Sequence, residues 1–245
     1  MQVKKFLSSV KKLISQHVFN KKWRCNWCGV EIFEEEYFCK ECLNKLPLIN
    51  KGYCAHCGRE LKVGADYCLS CKNNMVYVDK ARSVFAYKEP INKLIKDLKY
   101  YEKRYLVEIF AKYMSNIYFR NYFNADAIVY VPMLEEAEKK RGFNQSKLLA
   151  EELSKIVKVP LLNVLAKTKS TTRQAKLGRE ERLKNLKGTF SITDKKSVKG
   201  KTILIVDDVC TTGATSEVIG QLLKKNGACA VYLLTVASVS SKEKY

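Results

Sequence analysis

The sequence predicts an α/β fold, with a mostly parallel sheet flanked by helices and a small cysteine-rich module in front of it. Eight of the ten cysteines fall between residues 25 and 71, spaced as a tandem repeat. From residue 80 onward, apolar runs typical of strands alternate with segments of helical periodicity. This alternation is typical of a parallel sheet, because each parallel connection needs a crossover, usually a helix.

Composition and charge exclude several classes of protein. The 245 residues are 47% hydrophobic and 29% charged, which excludes a disordered or fibrous chain. No apolar run approaches the roughly 18 residues that a membrane-spanning helix needs. The net charge of +20 indicates a polyanionic partner, a phosphorylated ligand or an anionic membrane surface.

Residues 1–24 are predicted to form a basic amphipathic helix, because apolar residues recur there at helical spacing with lysines on the opposite face. Packing on the rest of the protein is the favoured interpretation, and peripheral contact with a membrane is the alternative. Lys11 and Lys12 interrupt the first apolar stretch, so it does not resemble a cleavable signal. We therefore expect a cytoplasmic protein whose cysteines are reduced.

Residues 25–75 are predicted to form a double zinc ribbon with two structural Zn²⁺ ions. Four Cys-x-x-Cys pairs are present, and the second two follow the first two at an offset of 29 residues. Each pair forms a tight turn, a knuckle, that points both sulfurs at one ion, and Gly29 and Gly58 supply the positive φ that such a turn needs. Four thiolates close the coordination sphere, so the role is structural. The predicted ligands are Cys25, Cys28, Cys39, Cys42, Cys54, Cys57, Cys68 and Cys71.

Two alternatives to this zinc assignment are disulfides and redox pairs. The repeat, the reducing compartment and the absence of a strand–Cys-x-x-Cys–helix setting count against both. Pairing of ligands within each repeat is favoured, and an interleaved arrangement is the alternative. His56 lies inside a knuckle and is predicted not to be a ligand. The ribbon indicates a metal but says little about function.

Residues 80–245 are predicted to form the α/β domain. The expected strands are 81–87, 127–131, 161–165, 202–206 and 230–236. The expected helices are 91–100, 106–122, 144–157 and 216–226, the last ending at Gly227, and the segment 166–188 is polar and basic with little periodicity.

The segment 203–215 carries the clearest functional signal. A buried apolar strand is followed by Asp207 and Asp208, and then by a loop of small and hydroxyl residues at which a helix begins. Backbone N–H groups and hydroxyls at a helix start bind phosphate, whereas carboxylates accept hydrogen bonds from sugar hydroxyls. A capped surface loop in an unrelated protein is the disfavoured alternative. The loop residues are Thr211, Thr212, Gly213, Ala214 and Thr215.

This segment resembles the ribose-phosphate fingerprint of the type I phosphoribosyltransferases, two acidic residues followed by Thr-Thr-Gly-x-Thr. The resemblance implies a type I phosphoribosyltransferase-like sheet that binds phosphoribosyl pyrophosphate (PRPP), or a related ribose 5-phosphate, together with Mg²⁺. It implies catalytic roles for Asp207, Asp208 and Arg141. It also places a pyrophosphate-binding loop at Pro132 and Met133, followed by Lys139 and Lys140, which with Arg141 form a cluster of three cations suited to the pyrophosphate of magnesium-bound PRPP. On charge alone, a solvated loop is the favoured alternative for this cluster. The acidic residues Glu135, Glu136 and Glu138 depart from the pattern of that loop.

The whole chain resembles the competence protein F (ComF) family, in which a helix and a zinc module precede a phosphoribosyltransferase-like domain. The shared motifs are Arg-Gly-Phe-Asn-Gln at 141–145, Lys99-Tyr100, and the set Thr171, Gln174, Leu177, Arg182 and Asn185. This resemblance implies a role in natural transformation, with single-stranded DNA and a competence helicase as partners.

Three functional classes follow. The first is a phosphoribosyltransferase acting on PRPP, whose acceptor the sequence does not identify. The second is a non-catalytic zinc-containing module that binds nucleic acid or protein and retains a phosphate site, with aromatics such as Trp23, Trp27, Tyr53 and Tyr67 available to stack on bases. The third, a purely structural zinc adaptor, leaves the Asp-Asp-x-x-Thr-Thr-Gly loop without a purpose.

Overall fold

The computed structural model describes residues 24–33, 37–54, 56–61, 67–68, 71, 77–169, 186 and 188–240. It forms two compact units, one ending at Leu46 and the other beginning at Pro47. The predicted N-terminal helix, apart from Arg24, and the motif residues between 171 and 185 lie outside the described residues. The domain boundaries 1–24, 25–75 and 80–245 stay predictions.

The first unit contains the first ribbon. Arg24 and Glu31 form an antiparallel bridge around the knuckle, in which Gly29 N–H donates to the Cys25 carbonyl at 2.9 Å. Gly29 has a φ of 77°, as a turn this tight requires. The second cysteine pair lies at the start of helix α1, Lys40–Asn44, which contains Cys42.

The second unit begins with a copy of this knuckle. Gly58 N–H donates to the Cys54 carbonyl at 2.9 Å, and Tyr53 and Glu60 form the equivalent bridge. This second knuckle contacts the sheet of its own unit. The His56 carbonyl accepts from Ala81 N–H at 2.8 Å, at the start of the first strand.

A four-stranded sheet forms the centre of the second unit. Its strands have the order β1-β6-β5-β2 and all pair in parallel, which confirms the predicted fold class. The short strands β3 and β4 form a separate antiparallel pair. The strands are β1 Lys80–Ala86, β2 Ala127–Tyr130, β3 Leu165–Lys167, β4 Phe190–Ile192, β5 Thr202–Cys210 and β6 Ala230–Ser238.

Helices cover the sheet. Ile203 and Ile205 of β5 belong to one apolar cluster with Ile219 and Leu223 of α6, because alternate residues of a strand share a face. Helices α3 and α5 pack on each other and against the sheet. The helices are α2 Ile91–Tyr100, α3 Leu106–Arg120, α4 Glu135–Arg141, α5 Gln145–Val157 and α6 Ala214–Lys225, with a 3₁₀ turn at Lys196–Val198.

Two strand predictions need correction. The strand expected at 161–165 is wrong: Leu161 makes only an isolated bridge to Ile128, and the strand begins at Leu165 and pairs with distant residues. The strand expected at 202–206 continues to Cys210, because its residues stay in register with β6 as far as Ser238. Asp207 and Asp208 therefore lie within the strand rather than beyond its end.

Helix α4 was not expected from periodicity. Its seven residues are charged on most sides, so no apolar stripe marks it. Its acidic residues fall in the first turn and its basic residues in the last, an order that the helix dipole favours. Gly142, with a φ of 82°, ends it.

Replacing Gly58 by Ala is expected to destabilise the protein far more than replacing Gly29. A Cβ at Gly58 would lie 2.4 Å from the Arg82 Cα and 2.5 Å from the Ala81 carbonyl oxygen, whereas nothing described lies within 4 Å of one at Gly29. Both substitutions place Ala at positive φ, which costs roughly 1–2 kcal/mol. The clash should take the loss for Gly58→Ala to about 3 kcal/mol or more.

Denaturant unfolding of the full chain with zinc bound measures both losses, and Gly29→Ala is the matched control. Equal losses in the two variants would contradict the close packing of the second knuckle on β1.

Candidate functional site

The cysteine sulfurs form two clusters, one in each repeat. Within a cluster all Sγ atoms lie within 4.8 Å of one another, and the pairs Cys28–Cys39 and Cys57–Cys68 are each 3.7 Å apart. Tetrahedral zinc with bonds of about 2.3 Å places sulfurs about 3.8 Å apart, whereas a disulfide holds them at about 2.05 Å. No disulfide joins any of the ten cysteines. The clusters therefore fit zinc, one ion per repeat, and neither disulfides nor an interleaved arrangement fits.

The second cluster is more enclosed than the first. Cys54, Cys57 and Cys68 are buried, while Cys28 of the first cluster is exposed. The backbone N–H groups of Cys57 and Cys68 donate to Cys54 Sγ at 3.5 and 3.4 Å. Such bonds fix the direction of a thiolate ligand. His56 belongs to neither cluster, in agreement with the sequence analysis.

A cavity of about 360 Å³ opens at the carboxyl end of the parallel sheet. Parallel α/β sheets place their ligand sites at this edge. The cavity is lined by Lys99 and Tyr100 at the end of α2, by Val131–Leu134 after β2, by Ala137, Arg141 and Gln145, by Lys167, Leu186 and Phe190, and by Asp207, Asp208 and Thr215.

Two acidic side chains from β5 form the polar floor of this cavity. Asp208 is buried and forms an ion pair with Lys99 Nζ. Asp207 is partly exposed to the cavity, and its Oδ1 accepts a hydrogen bond from Ser146 Oγ at 2.7 Å. Burial acts to lower the pKa of Lys99, but the Asp208 carboxylate outweighs it and raises that pKa, so Lys99 stays charged.

The Asp207 carboxyl takes up a proton more readily than an ordinary aspartate does. Burial and then the charge of Asp208 raise the pKa of Asp207 to about 7, although the Ser146 hydrogen bond and the charge of Lys99 act to lower it. A carboxyl with this pKa exchanges a proton near neutral pH, a property of groups at functional sites.

The opposite wall of the cavity is formed by the segment after β2 and by Arg141. Arg141 donates to Gln145 Oε1 at 2.5 Å and lies 5.5 Å from the Tyr100 ring centre. Asn144 caps α5 by accepting from Ser146 N–H at 2.9 Å, and it donates to the Val131 carbonyl at 3.1 Å. Through Asn144, the Arg-Gly-Phe-Asn-Gln motif thus contacts the segment after β2 and begins α5, where Ser146 donates to Asp207.

The other predicted site residues divide into two groups. Pro132, Met133 and Thr215 line the cavity, and Thr211 to Ala214 form the turn between β5 and α6, with Gly213 at a φ of 78°. Lys139 and Lys140 are exposed and do not line the cavity, and Lys139 pairs with Glu135 at 2.6 Å.

Two residues of the acidic floor were not singled out from the sequence as site residues. Lys99 appeared only as part of a family-like dipeptide, and Ser146 only as a residue at a helix start. A signal for Lys99 was its place at the end of an amphipathic helix, beside the buried Leu98.

None of the helices in the described parts of the chain is long and apolar enough to cross a membrane.

Comparisons with known proteins agree with both modules. Residues 142–245 match the phosphoribosyl transferase domain family, and residues 15–72 match the double zinc ribbon domain family. The DNA utilization protein YhgH of Escherichia coli K12 is 34% identical over 159 residues, which cover 61% of this chain and 67% of that protein. Competence protein F of Haemophilus influenzae is 38% identical over 104 residues, 42% of this chain and 45% of that protein.

Among solved structures, the glutamine PRPP amidotransferase of B. subtilis is 21% identical, with a TM-score of 0.38, and the match covers 53% of this chain and 26% of that one. The fold assignment rests on the parallel sheet and the matched domain families.

Replacing Asp207 by Asn is expected to stabilise the protein more at pH 8 than at pH 5. The Asp207 pKa is about 7 in the folded chain, well above the ordinary value for Asp of about 3.9. The Asp207 carboxyl therefore contributes fully to the free energy of unfolding below about pH 4, and this contribution is lost as the pH rises to about 7. An amide buries no charge, so the variant should gain about 2–3 kcal/mol relative to wild type between the two pH values.

Urea denaturation at pH 5 and pH 8 measures this difference. Glu136→Gln, at an exposed position of α4, is the control and should show no such gain. An Asp207→Asn variant whose relative stability is the same at both pH values would show that Asp207 does not titrate in this window.

Proposed function

This chain belongs to the competence protein F family and carries a phosphoribosyltransferase-like domain, and we propose that its cavity binds PRPP or a related ribose 5-phosphate. The observation that carries the proposal is the pair of acidic side chains from β5, which line the cavity together with Thr215 at the start of α6. This combination offers hydrogen-bond acceptors for a sugar and donors for a phosphate within one site.

The 5-phosphate would bind at the turn 211–215. The first N–H groups of a helix have no partner within the helix, and the helix dipole favours an anion there. Gly213 turns the chain into α6, and the Thr212 hydroxyl already accepts from Ala214 N–H at 3.4 Å, which orders the turn. Thr215, in the first turn of α6, lines the cavity.

The ribose hydroxyls would donate to Asp207 and Asp208. Pyrophosphate would extend toward Pro132, Met133 and Arg141 on the other wall, since a guanidinium suits a planar, two-point contact with phosphate oxygens. Magnesium arrives with PRPP and prefers oxygen ligands, which the two carboxylates and the pyrophosphate provide.

If transfer occurs, the bond between ribose C1 and the pyrophosphate oxygen breaks as an acceptor bonds to C1. Arg141 would then offset the negative charge that develops on the departing pyrophosphate. The acceptor is not identified by the cavity. A second candidate is nucleic-acid binding without transfer, which the net charge of +20 favours.

The relatives are named for DNA utilization and competence, and we propose that this chain also acts in the uptake or handling of single-stranded DNA. A competence helicase as partner and a cytoplasmic location belong to the same proposal.

Isothermal titration with PRPP and Mg²⁺ tests the cavity assignment. Asp207→Ala/Asp208→Ala is expected to abolish binding, because it removes the acceptors for the ribose. Arg141→Ala should weaken binding about tenfold, since it removes a charged hydrogen-bond donor. Lys139→Ala/Lys140→Ala should have a smaller effect than Arg141→Ala, because neither lysine lines the cavity. A wild-type protein that does not bind PRPP would contradict the proposal.

Binding to single-stranded DNA is expected to weaken steeply as salt is raised, because basic residues release counterions from the phosphates they neutralise. The Asp207→Ala/Asp208→Ala variant should bind DNA as the wild type does. Fluorescence anisotropy at several salt concentrations measures both, and an affinity that does not change with salt would argue against contact with DNA phosphates.

A further inference from the structure

Arg59 connects the second zinc cluster to the turn that leads into α6. Its Nε donates to Cys57 Sγ at 3.2 Å, and its Nη2 donates to the Thr211 carbonyl at 3.3 Å. The side chain is buried, with 5% of its surface exposed. One planar cation therefore contacts a zinc ligand and the first residue of the proposed phosphate-binding turn.

The first ribbon shows that a ribbon of this kind does not itself need an arginine at this position. Val30 stands 29 residues before Arg59 and makes the equivalent backbone bond, accepting from Cys25 N–H at 2.8 Å, while Arg59 accepts from Cys54 N–H at 2.9 Å. The Val30 side chain is 52% exposed. The backbone role is thus shared, and the guanidinium of Arg59 serves something specific to the second ribbon.

The negative charge of the zinc–thiolate cluster explains why a guanidinium is suited to the position beside Cys57. Four thiolates and one Zn²⁺ carry a net charge of about −2, and a buried anion of this kind needs hydrogen-bond donors and a cation beside it. Arginine has a rigid fork of donors that can serve two acceptors at once, whereas the lysine ammonium is a point charge.

The knuckle that contains Cys57, which accepts one hydrogen bond from Arg59, is held against the sheet. The second knuckle lies against β1, since Gly58 is in direct contact with the backbone of Ala81 and Arg82. The other residue that accepts from Arg59, Thr211, immediately follows Cys210, the last residue of β5. The position of the Thr211 carbonyl sets the direction in which the next N–H groups point.

We propose that Arg59 is a positioning residue for the turn 211–215, and that zinc in the second ribbon thereby sets the affinity of the cavity for PRPP. Zinc fixes the Cys57 sulfur, Cys57 holds the guanidinium, and the guanidinium holds the Thr211 carbonyl so that the turn presents its N–H groups to the 5-phosphate. The first ribbon, with Val30 in the matching place, has no such side chain. This inference rests on the proposed function of the cavity.

Arg59→Val gives the second repeat the residue of the first, and Arg59→Lys keeps the charge but not the fork. With the full chain and both zinc ions bound, we expect Arg59→Val to raise the PRPP dissociation constant about tenfold or more, since a charged hydrogen bond is lost. Arg59→Lys should give an intermediate value. Zinc content should stay at two ions per chain, and the affinity for single-stranded DNA should not change. Val30→Ala is the matched control and should bind PRPP as the wild type does.

A spectroscopic measurement tests whether PRPP binding at the turn 211–215 changes the metal site of the second ribbon. Co²⁺ in place of zinc absorbs visible light at energies that depend on its thiolate ligands. PRPP should shift the Co²⁺ bands in the wild type and in Val30→Ala, but not in Arg59→Val.

The outcomes separate the two proposals. If the wild type does not bind PRPP, the proposed function fails and this inference with it. If the wild type binds PRPP and both Arg59 variants bind it equally well with two zinc ions, the inference alone is overturned. If the Arg59 variants lose zinc or do not fold, the wild-type Co²⁺ bands decide, and bands that PRPP leaves unchanged overturn the inference.

Discussion

The placement of two adjacent acidic side chains near the end of β5, with Asp208 buried and Asp207 partly exposed to the cavity, is the constraint on which the second unit depends. A buried carboxylate is stable only with a cation or hydrogen-bond donors beside it. Lys99 meets this need for Asp208, and Ser146 donates to Asp207. These contacts join the last turn of α2 and the first turn of α5 to β5, and the cavity lies between those two helix termini and the strand. Asp207, less fully compensated, has a raised pKa as a result.

The parts of the fold that could be predicted are those with a local signal. The four parallel strands are apolar runs, α2 and α5 carry apolar stripes, and the zinc clusters follow from the spacing of the cysteine pairs. The β3–β4 pair could not be predicted, because Leu165 pairs with Ile192 and nothing near either residue indicates the other. Helix α4 was missed because a seven-residue helix that is charged on most sides has no hydrophobic period.

In the candidate site, too, only the residues with a local sequence signal could be predicted. Asp207, Asp208 and the turn after them were visible because they are contiguous and follow a buried strand. The residues that compensate the carboxylates were not visible, since Ser146 lies 61 positions before Asp207 and Lys99 lies on a different helix. The repeated cysteine spacing also concealed a difference in surroundings. The two knuckles share their backbone hydrogen bonds, yet Val30 is exposed and Arg59 is buried.

The strand order has a consequence for the timing of synthesis. Strand β1 lies at an edge of the four-stranded sheet, where its neighbouring strand is β6, which ends at Ser238; on its other side Phe85 makes an isolated bridge with Leu48. On a ribosome that adds roughly 5–20 residues per second, the last cysteine of the second ribbon emerges about 10–30 s before β6 is complete. That ribbon can therefore take up its metal while β1 still lacks its neighbour in the sheet. The turn 211–215 then forms late, against a metallated ribbon that is already folded.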